Sequence, residues 1–389
     1  MSRHRVLVIS NLFPLPWQPN RGMFNRQHYN ALAEFMDVAV LCPVAWTERP
    51  RKGAFNFLPV DYGLLEVQQK TYFFPPRIMR GSYGHFLWRS IKGAALDLAK
   101  SFKPSLIAAS WAYPDGYAAM KLAEALNLPF VVQTLGSDIN LLGEFPERAT
   151  PTWNTLRQAS AVTPVSRALR DKIIANGVSP ERVTVVYRGV DSSRFFPKPQ
   201  KAAQNDLGLE GTHPHLLFIG NLVPVKSVDT LVTASAGLLR KEGFEHTLHI
   251  VGDGPLRGDL QQLVGGLGME DRVIFHGALP HTQLCNWFAA SDLVVLPSQN
   301  EGVPNVLLEA MACSRPYVAS RVGGIPEISN HDGCTLFSAG DAEDLTRAIR
   351  SQLAKNNHPS AEDLLCSSWQ DAGRKLANAF TEALSRTES

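Results

Sequence analysis

The sequence predicts an α/β protein of two doubly wound domains, each a parallel sheet with helices on both faces. Three observations carry this. The chain has 389 residues and is 44% hydrophobic, which supplies apolar material for two cores of ordinary size. Short β-prone runs alternate with helix-like segments along nearly the whole chain, the signature of a parallel sheet. A polar stretch broken by Pro and Gly, residues 193–213, interrupts this alternation, which restarts beyond it.

In the first half, β-prone runs are expected at 5–13, 37–44, 64–72, 105–110, 129–134, 161–166 and 183–191, with helices near 24–35, 117–126 and 167–176. Ligands of such sheets collect beyond the C-terminal strand ends. The loop holding Gly22 and the loop 135–138 fall there. Gly22, with no side chain, allows backbone to approach a ligand closely or simply makes a turn. Asp138 is either a helix cap or a group able to take a proton. No basic segment followed by an apolar one opens the sequence, and no apolar run nears the roughly 18 residues that span a bilayer. A cytoplasmic protein is the expectation. Cys42, Cys285, Cys313, Cys334 and Cys366 are odd in number and unpaired in spacing, as expected of reduced thiols without a catalytic role.

Charge divides the chain. Residues 1–195 hold 23 Lys and Arg against 14 Asp and Glu, a balance of +9; the remainder holds 15 against 22, a balance of −7. The basic half would meet an anionic partner. Residues 77–103 concentrate this character. Six basic side chains interleave with Ile78, Met79, Tyr83, Phe86, Leu87, Trp88 and Ile91. Such a helix either lies on an anionic membrane surface or packs into the core with a solvated basic side. Nucleic acid is set aside, because no recognised binding motif accompanies the patch.

In the second half, β-prone runs are expected at 215–222, 247–251, 273–279, 293–297, 316–322 and 334–337, with helices near 228–240 and 256–267 and a last one at 369–384. Lys226, in the loop after the first run, can pair with a diphosphate and steady charge on a leaving group. Gly252, Gly254 and Gly258 approximate a dinucleotide fingerprint with the wrong spacing, which makes an NAD(P)-dependent oxidoreductase the competing enzyme reading. No Asp-x-Asp pair or other set with metal-ligand spacing is evident.

The stretch 298–327 organises the rest. Glu301 and Glu309 stand eight positions apart, separated by Gly302, Pro304 and Asn305 and the apolar run 306–308. Pro304 and Asn305 read as a helix start, with Asn305 a candidate cap. Glu301 then lies on the loop before the helix and Glu309 one turn inside it, on the face of Asn305. Carboxylates flanking a row of backbone N–H groups at Asn305 and Val306 suit a ligand with hydroxyls at both ends and negative charge between, the layout of a nucleotide sugar.

This segment resembles the signature of the family 4 retaining glycosyltransferases, and the likeness extends over nearly the whole chain, most strongly over 215–330. It implies the GT-B fold: two Rossmann-like domains facing a central cleft, here 1–195 joined by a C-terminal helix 365–389, and 196–364. It implies that Glu301 faces the donor hexose, Glu309 the ribose and Lys226 the diphosphate. Gly22, Gly252, Gly254, Gly302, Pro304, Asn305 and Val306 would line the donor site, and the run beginning at Val273 would meet the base. Four positions depart from the family pattern. Asn221 stands where an arginine is frequent, and Ser227 where a glycine is. Leu135 replaces a histidine, leaving Asp138 as the nearest base. A fourth, Arg188, replaces an asparagine in the segment 183–197. The opening, 11–24, is similar to a subgroup serving surface polysaccharides. The expected reaction is transfer of a sugar from a UDP- or GDP-sugar to a hydroxyl of a glycan or lipid-linked acceptor. Retention, the absence of a metal or other cofactor, and attachment to the inner face of the membrane are part of that expectation. A non-catalytic sugar-binding relative is the other alternative, prompted by Leu135.

Overall fold

A computed structural model describes residues 3–49, 59–143, 145–209, 213–355, 357–360 and 368–388. Cys366, the tip of the segment 193–213 and the first residues of the segment 365–389 lie outside this set. The chain forms two compact units. One is Met1–Gly189 with Trp369–Ser389, the other Val190–Ser368.

The first unit contains β1 (Arg5–Ile9), β2 (Asp37–Ala45), β3 (Glu66–Tyr72), β4 (Leu106–Ser110), β5 (Phe130–Thr134) and β6 (Ala161–Pro164). They form one parallel sheet in the order β3-β2-β1-β4-β5-β6. Helices cover both faces, so β1, β4, β5 and β6 are almost wholly buried. The helix Trp369–Glu388 belongs to this unit. Its Leu376, Phe380 and Ala383 pack in one cluster with Tyr29 and Leu32 of the helix Met23–Ala33. The two helices meet closely at Gly373, where a Cβ would fall 2.5 Å from the carbonyl carbon of Ala31.

The second unit repeats the plan with β7 (His215–Ile219), β8 (Thr247–Val251), β9 (Val273–Gly277), β10 (Leu293–Leu296), β11 (Tyr317–Ser320) and β12 (Cys334–Phe337). Their order is β12-β11-β10-β7-β8-β9, again parallel. Each sheet reverses its winding once, at β1/β4 and at β7/β10. Loops that leave adjacent strands in opposite directions open a crevice there. Two six-stranded parallel sheets flanked by helices constitute the GT-B architecture.

Three expectations need correction. No strand forms over 183–191. Thr184 and Val186 donate to Val162 and Pro164 of β6, but the ladder is limited to an isolated bridge at Val183. The presumed linker carries the helix Gln200–Asp206, because Ala203 has an apolar seat against Ala289 and Ala290 and Gln200 and Gln204 donate to the Ala290 carbonyl. The third concerns 77–103. In the helix Tyr83–Phe102, Tyr83, Leu87, Ile91, Ala95, Leu98 and Ala99 are buried, and Trp88 packs on the same cluster. The stripe that reads as membrane-facing is therefore core, and Arg89, Lys92 and Lys100 form the solvated side. Exposed apolar side chains lie before the helix instead, at Phe73, Ile78 and Met79. Among the described residues no helix is long and apolar enough to cross a membrane.

Candidate active site

The crevice of the second unit gathers most of the anticipated residues. After β7 the chain passes Gly220 and the exposed Asn221 and makes a short helical turn, Pro224–Lys226. After β10 it makes the loop holding Glu301. The two loops are stitched together: the Gln299 backbone N–H donates to the Val225 carbonyl at 2.8 Å, and its side-chain amide donates to Ser227 Oγ at 2.8 Å. This seats Lys226 Nζ 2.5 Å from Glu301 Oε1. Their side chains are 22% and 12% exposed, shielded enough to strengthen the pair yet open to a ligand. Ser227 is left-handed, with φ 44°. That conformation favours glycine, which explains the glycine expected there; the hydroxyl bond to Gln299 compensates in this chain.

The helix Asn305–Ala312 follows. Pro304 is its N-cap and Asn305 its first helical residue, and no side chain caps it. The expectation that Asn305 caps the helix is thus corrected. Proline cannot supply a side-chain acceptor, which is why the positive helix end lacks a side-chain cap. Glu309 is half-buried one turn in, with Oε1 2.8 Å from His281 Nε2. Gly302 is held from the β11 loop by the bond from the Gly324 N–H, 2.8 Å, and Gly323 has φ +52° with its Cβ position only 1.8 Å from the Glu301 carbonyl oxygen. That glycine is required for Glu301 to sit where it does.

Gly252 and Gly254 line the neighbouring loop after β8. A Cβ on Gly252 would lie 1.9 Å from the Gly220 carbonyl oxygen, and one on Gly254 2.4 Å from that of Leu222. Both glycines serve the crossing of the β7 and β8 loops. The fingerprint-like glycines thus follow the second strand of the unit and not the first, which removes the structural basis of the dinucleotide reading. Arg257 ends beside this crossing, 3.5 Å from Asp253 and 3.4 Å from the Cβ position of Gly277. It is a cation that sequence reasoning passed over. Val273 is not part of the gathering. It is buried at the N-terminal end of β9, and the ligand side of that strand is Gly277, four residues or about 13 Å away.

Gly22 and Asp138 stand in the first unit. Gly22 has φ +57°, and its Cβ position is 2.2 Å from the Leu12 carbonyl oxygen, so the turn of its own loop requires a glycine there. Asp138 is buried and accepts from the backbone N–H groups of Leu135 (3.0 Å), Gly136 (2.9 Å) and Ala112 (3.0 Å). Burial raises its pKa, with those three donors pulling the other way. Its carboxylate clamps the β4 and β5 loops; the helix Ser137–Asn140 has Gly136 at its N-cap and no side-chain cap, so Asp138 is not the helix cap that the sequence offered. Leu135 is buried beside it. Arg188 is buried with its guanidinium 4.2 Å from the centre of the Phe24 ring. The buried Asp115, which sequence reasoning also missed, accepts from the Asn11 N–H at 2.9 Å. Among the described residues, no group of three or more His, Cys, Asp or Glu is placed to hold a metal ion.

Comparison with known proteins agrees with this geometry. Residues 26–194 match the sequence pattern of Glycosyltransferase Family 4, and residues 213–355 that of Glycosyl transferases group 1. The chain is 27% identical over 359 residues to TuaC of Bacillus subtilis, named as a teichuronic acid biosynthesis glycosyltransferase, covering 89% of this chain and 88% of that one. It is 32% identical over 302 residues to a D-inositol 3-phosphate glycosyltransferase of Catenulispora acidiphila, covering 69% of each. The structure of Anabaena HepE in complex with UDP-glucose superposes with a TM-score of 0.68 at 19% identity, covering 99% of both chains. By these matches the chain belongs to the family 4 glycosyltransferases.

Proposed function

We propose that this protein transfers a sugar from a UDP- or GDP-sugar to a hydroxyl of a glycan or lipid-linked acceptor, with retention, in the assembly of a surface polysaccharide. The observation that carries this reading is the meeting of Lys226 and Glu301 at the β7/β10 crevice, one loop ahead of an uncapped helix that bears Glu309. Glu309 holds the ribose diol and Glu301 the hexose hydroxyls. Lys226 and the helix end hold the diphosphate and take up the charge that develops as it leaves. No metal is assigned to that task. The bond from the anomeric carbon to the diphosphate oxygen breaks as the acceptor oxygen bonds the same face. The acceptor proton passes to the departing phosphate oxygen, a route that asks nothing of Leu135 or of the committed Asp138. The similarity to a teichuronic acid enzyme supports the polysaccharide role, and the UDP-glucose bound to HepE supports the donor class.

The test is a panel of UDP- and GDP-sugars scored by thermal stabilisation, since a ligand of the folded state raises its melting temperature by mass action. One or more should stabilise the wild type, and Glu309→Ala should lose that response while still folding. Equal stabilisation of the variant would overturn the assignment.

A cytoplasmic protein bound peripherally to the inner membrane face is part of this proposal. Its support is the exposed Phe73, Ile78 and Met79 beside the exposed Arg77. Residues 77 and 79 both adopt left-handed backbone, φ 69° and 52°, a local strain that presents these side chains to solvent. Co-sedimentation with anionic liposomes at low salt should fall on replacing Ile78 and Met79 by Ser; undiminished binding would remove this part.

A further inference from the structure

Glu309 does not take up its position alone. His281, which opens the short helical turn His281–Gln283 beyond β9, lies with Nε2 2.8 Å from Glu309 Oε1. On the other side of the ring, Arg194 Nη1 lies 2.9 Å from His281 Nδ1. The Phe195 ring meets the imidazole edge-on, centroids 5.0 Å apart. Asp191 lies 3.9 Å from Arg194 Nε. Three separate stretches of the second unit converge here: 191–195, 281 and 309.

The donors and acceptors fix a direction. Arginine offers only N–H groups, so His281 Nδ1 must accept. In the neutral ring the proton then sits on Nε2 and is donated to Glu309, because the bond made by one ring nitrogen decides the state of the other. The other neutral tautomer, or a ring carrying a second proton, would set N–H against N–H at Arg194, and a ring turned over would bring only C–H to both partners. The imidazole thus binds Oε1 and leaves Oε2 out of that bond. A carboxylate on a freely rotating stem would have to be ordered by each incoming ligand, and prior ordering lowers that cost.

We infer that His281 is the positioning residue for the ribose-binding carboxylate, with Arg194 setting its tautomer. Ribose recognition then depends on the segment that opens the second unit. This rests on the reading of Glu309 under Proposed function.

Calorimetric titration with UDP and with 2′,3′-dideoxy-UDP, or the GDP pair if GDP is what the wild type binds, tests it. The quantity to follow is the preference for the intact ribose. His281→Ala should lower that preference about tenfold, the scale of one hydrogen bond to a charged group. Affinity for the dideoxy nucleotide should move far less. His281→Gln, whose amide can reach Glu309, should restore most of the loss, and His281→Asn, which is shorter, should not. If the alanine variant does not fold, the Gln and Asn variants carry the same contrast. An unchanged preference in His281→Ala, or equal behaviour of Gln and Asn, overturns the inference. Should Glu309→Ala itself keep the full preference, the fault lies in the assignment of Glu309, and the role of His281 falls with it.

Discussion

At the crevice of the first unit a carboxylate is sealed in, whereas at that of the second an ion pair is left half open. Both sheets have six parallel strands and reverse at the equivalent place. At β1/β4, Asp115 is 0% exposed; one oxygen accepts from Asn11 and the other has no partner among the described residues. Burial pushes its pKa up from 3.8 to about 8. At β7/β10, Lys226 and Glu301 meet with their outer surfaces in reach of solvent. A shared topology provides a crevice twice, and side chains decide whether it is filled by the protein or kept for a ligand. Charge follows the same division: burial favours the neutral form of the sealed acid, whereas in the open crevice a lysine faces the carboxyl group.

The comparison is broken most readily at Lys226. Lys226→Ala should reduce kcat/KM for transfer by about 10²–10³, the scale for losing one group that stabilises transition-state charge. Steady-state assays with the best donor of the panel would show it, and a loss below fivefold would mean that the pair is only structural. Next in size is Gly323→Ala. A methyl group 1.8 Å from the Glu301 carbonyl oxygen must move that loop, so donor affinity should drop by about tenfold or more. Calorimetric titration would measure it, and wild-type affinity would show that the loop adapts without cost.

Asp115→Asn sharpens the contrast from the sealed side. A carboxyl whose folded pKa is raised favours folding fully below its unfolded pKa, and this contribution is lost as pH rises toward the folded value. Wild-type melting temperature should therefore fall between about pH 4 and pH 8, and the Asn variant should lack that part of the decline. Parallel profiles would show that Asp115 is not the group involved. The smallest effect is expected on the acid side. His249, whose Nε2 is 3.0 Å from His215 Nδ1 and whose Nδ1 is 3.0 Å from His276 Nε2, is held down to about 3 by burial and then by those two rings. A depressed histidine withdraws stability as pH falls from its unfolded value near 6.5 toward 3. In His249→Leu the denaturant midpoint should depend less steeply on pH across that window; an unaltered slope would assign the acid loss elsewhere, with His28 of the first unit, also brought down to about 3 by burial, the next group to test.

The legible and illegible parts of this chain divide along physical lines. Continuous apolar runs such as 130–132 and 293–296 gave their strands away, since a parallel strand buried on both faces needs no alternation. Glu301, Lys226 and Glu309 were legible because the strand-end rule and the spacing around a helix start locate them without tertiary detail. Gly22 left two readings open, since a glycine needed for close approach looks the same whether a ligand or the Leu12 carbonyl makes the approach. The basic aromatic helix also left two readings open, because periodicity shows that a face is apolar, not what covers it, and the core reading is the one the structure shows. His281 and Arg194 were missed because they stand 87 residues apart and their bond is a product of folding alone. A signal did exist, in that the segment 278–281 leaves a strand end on the ligand side. Asp115 left none beyond its place in a strand-end loop, as burial depends on the whole sheet.

The helix Trp369–Glu388 has a consequence for the order in which this protein comes into being. Its Leu376, Phe380 and Ala383 complete an apolar layer that includes Tyr29 and Leu32, which emerge from the ribosome more than 340 residues earlier. All of 190–368 is made in the interval. The half that is translated first is then expected to be the half that is finished last, waiting with an uncovered flank while its sibling folds. Nascent chains stalled near residue 360 should resist protease in the later half and remain cleavable in the earlier one; the reverse pattern would show that the final helix is dispensable to the layer it caps.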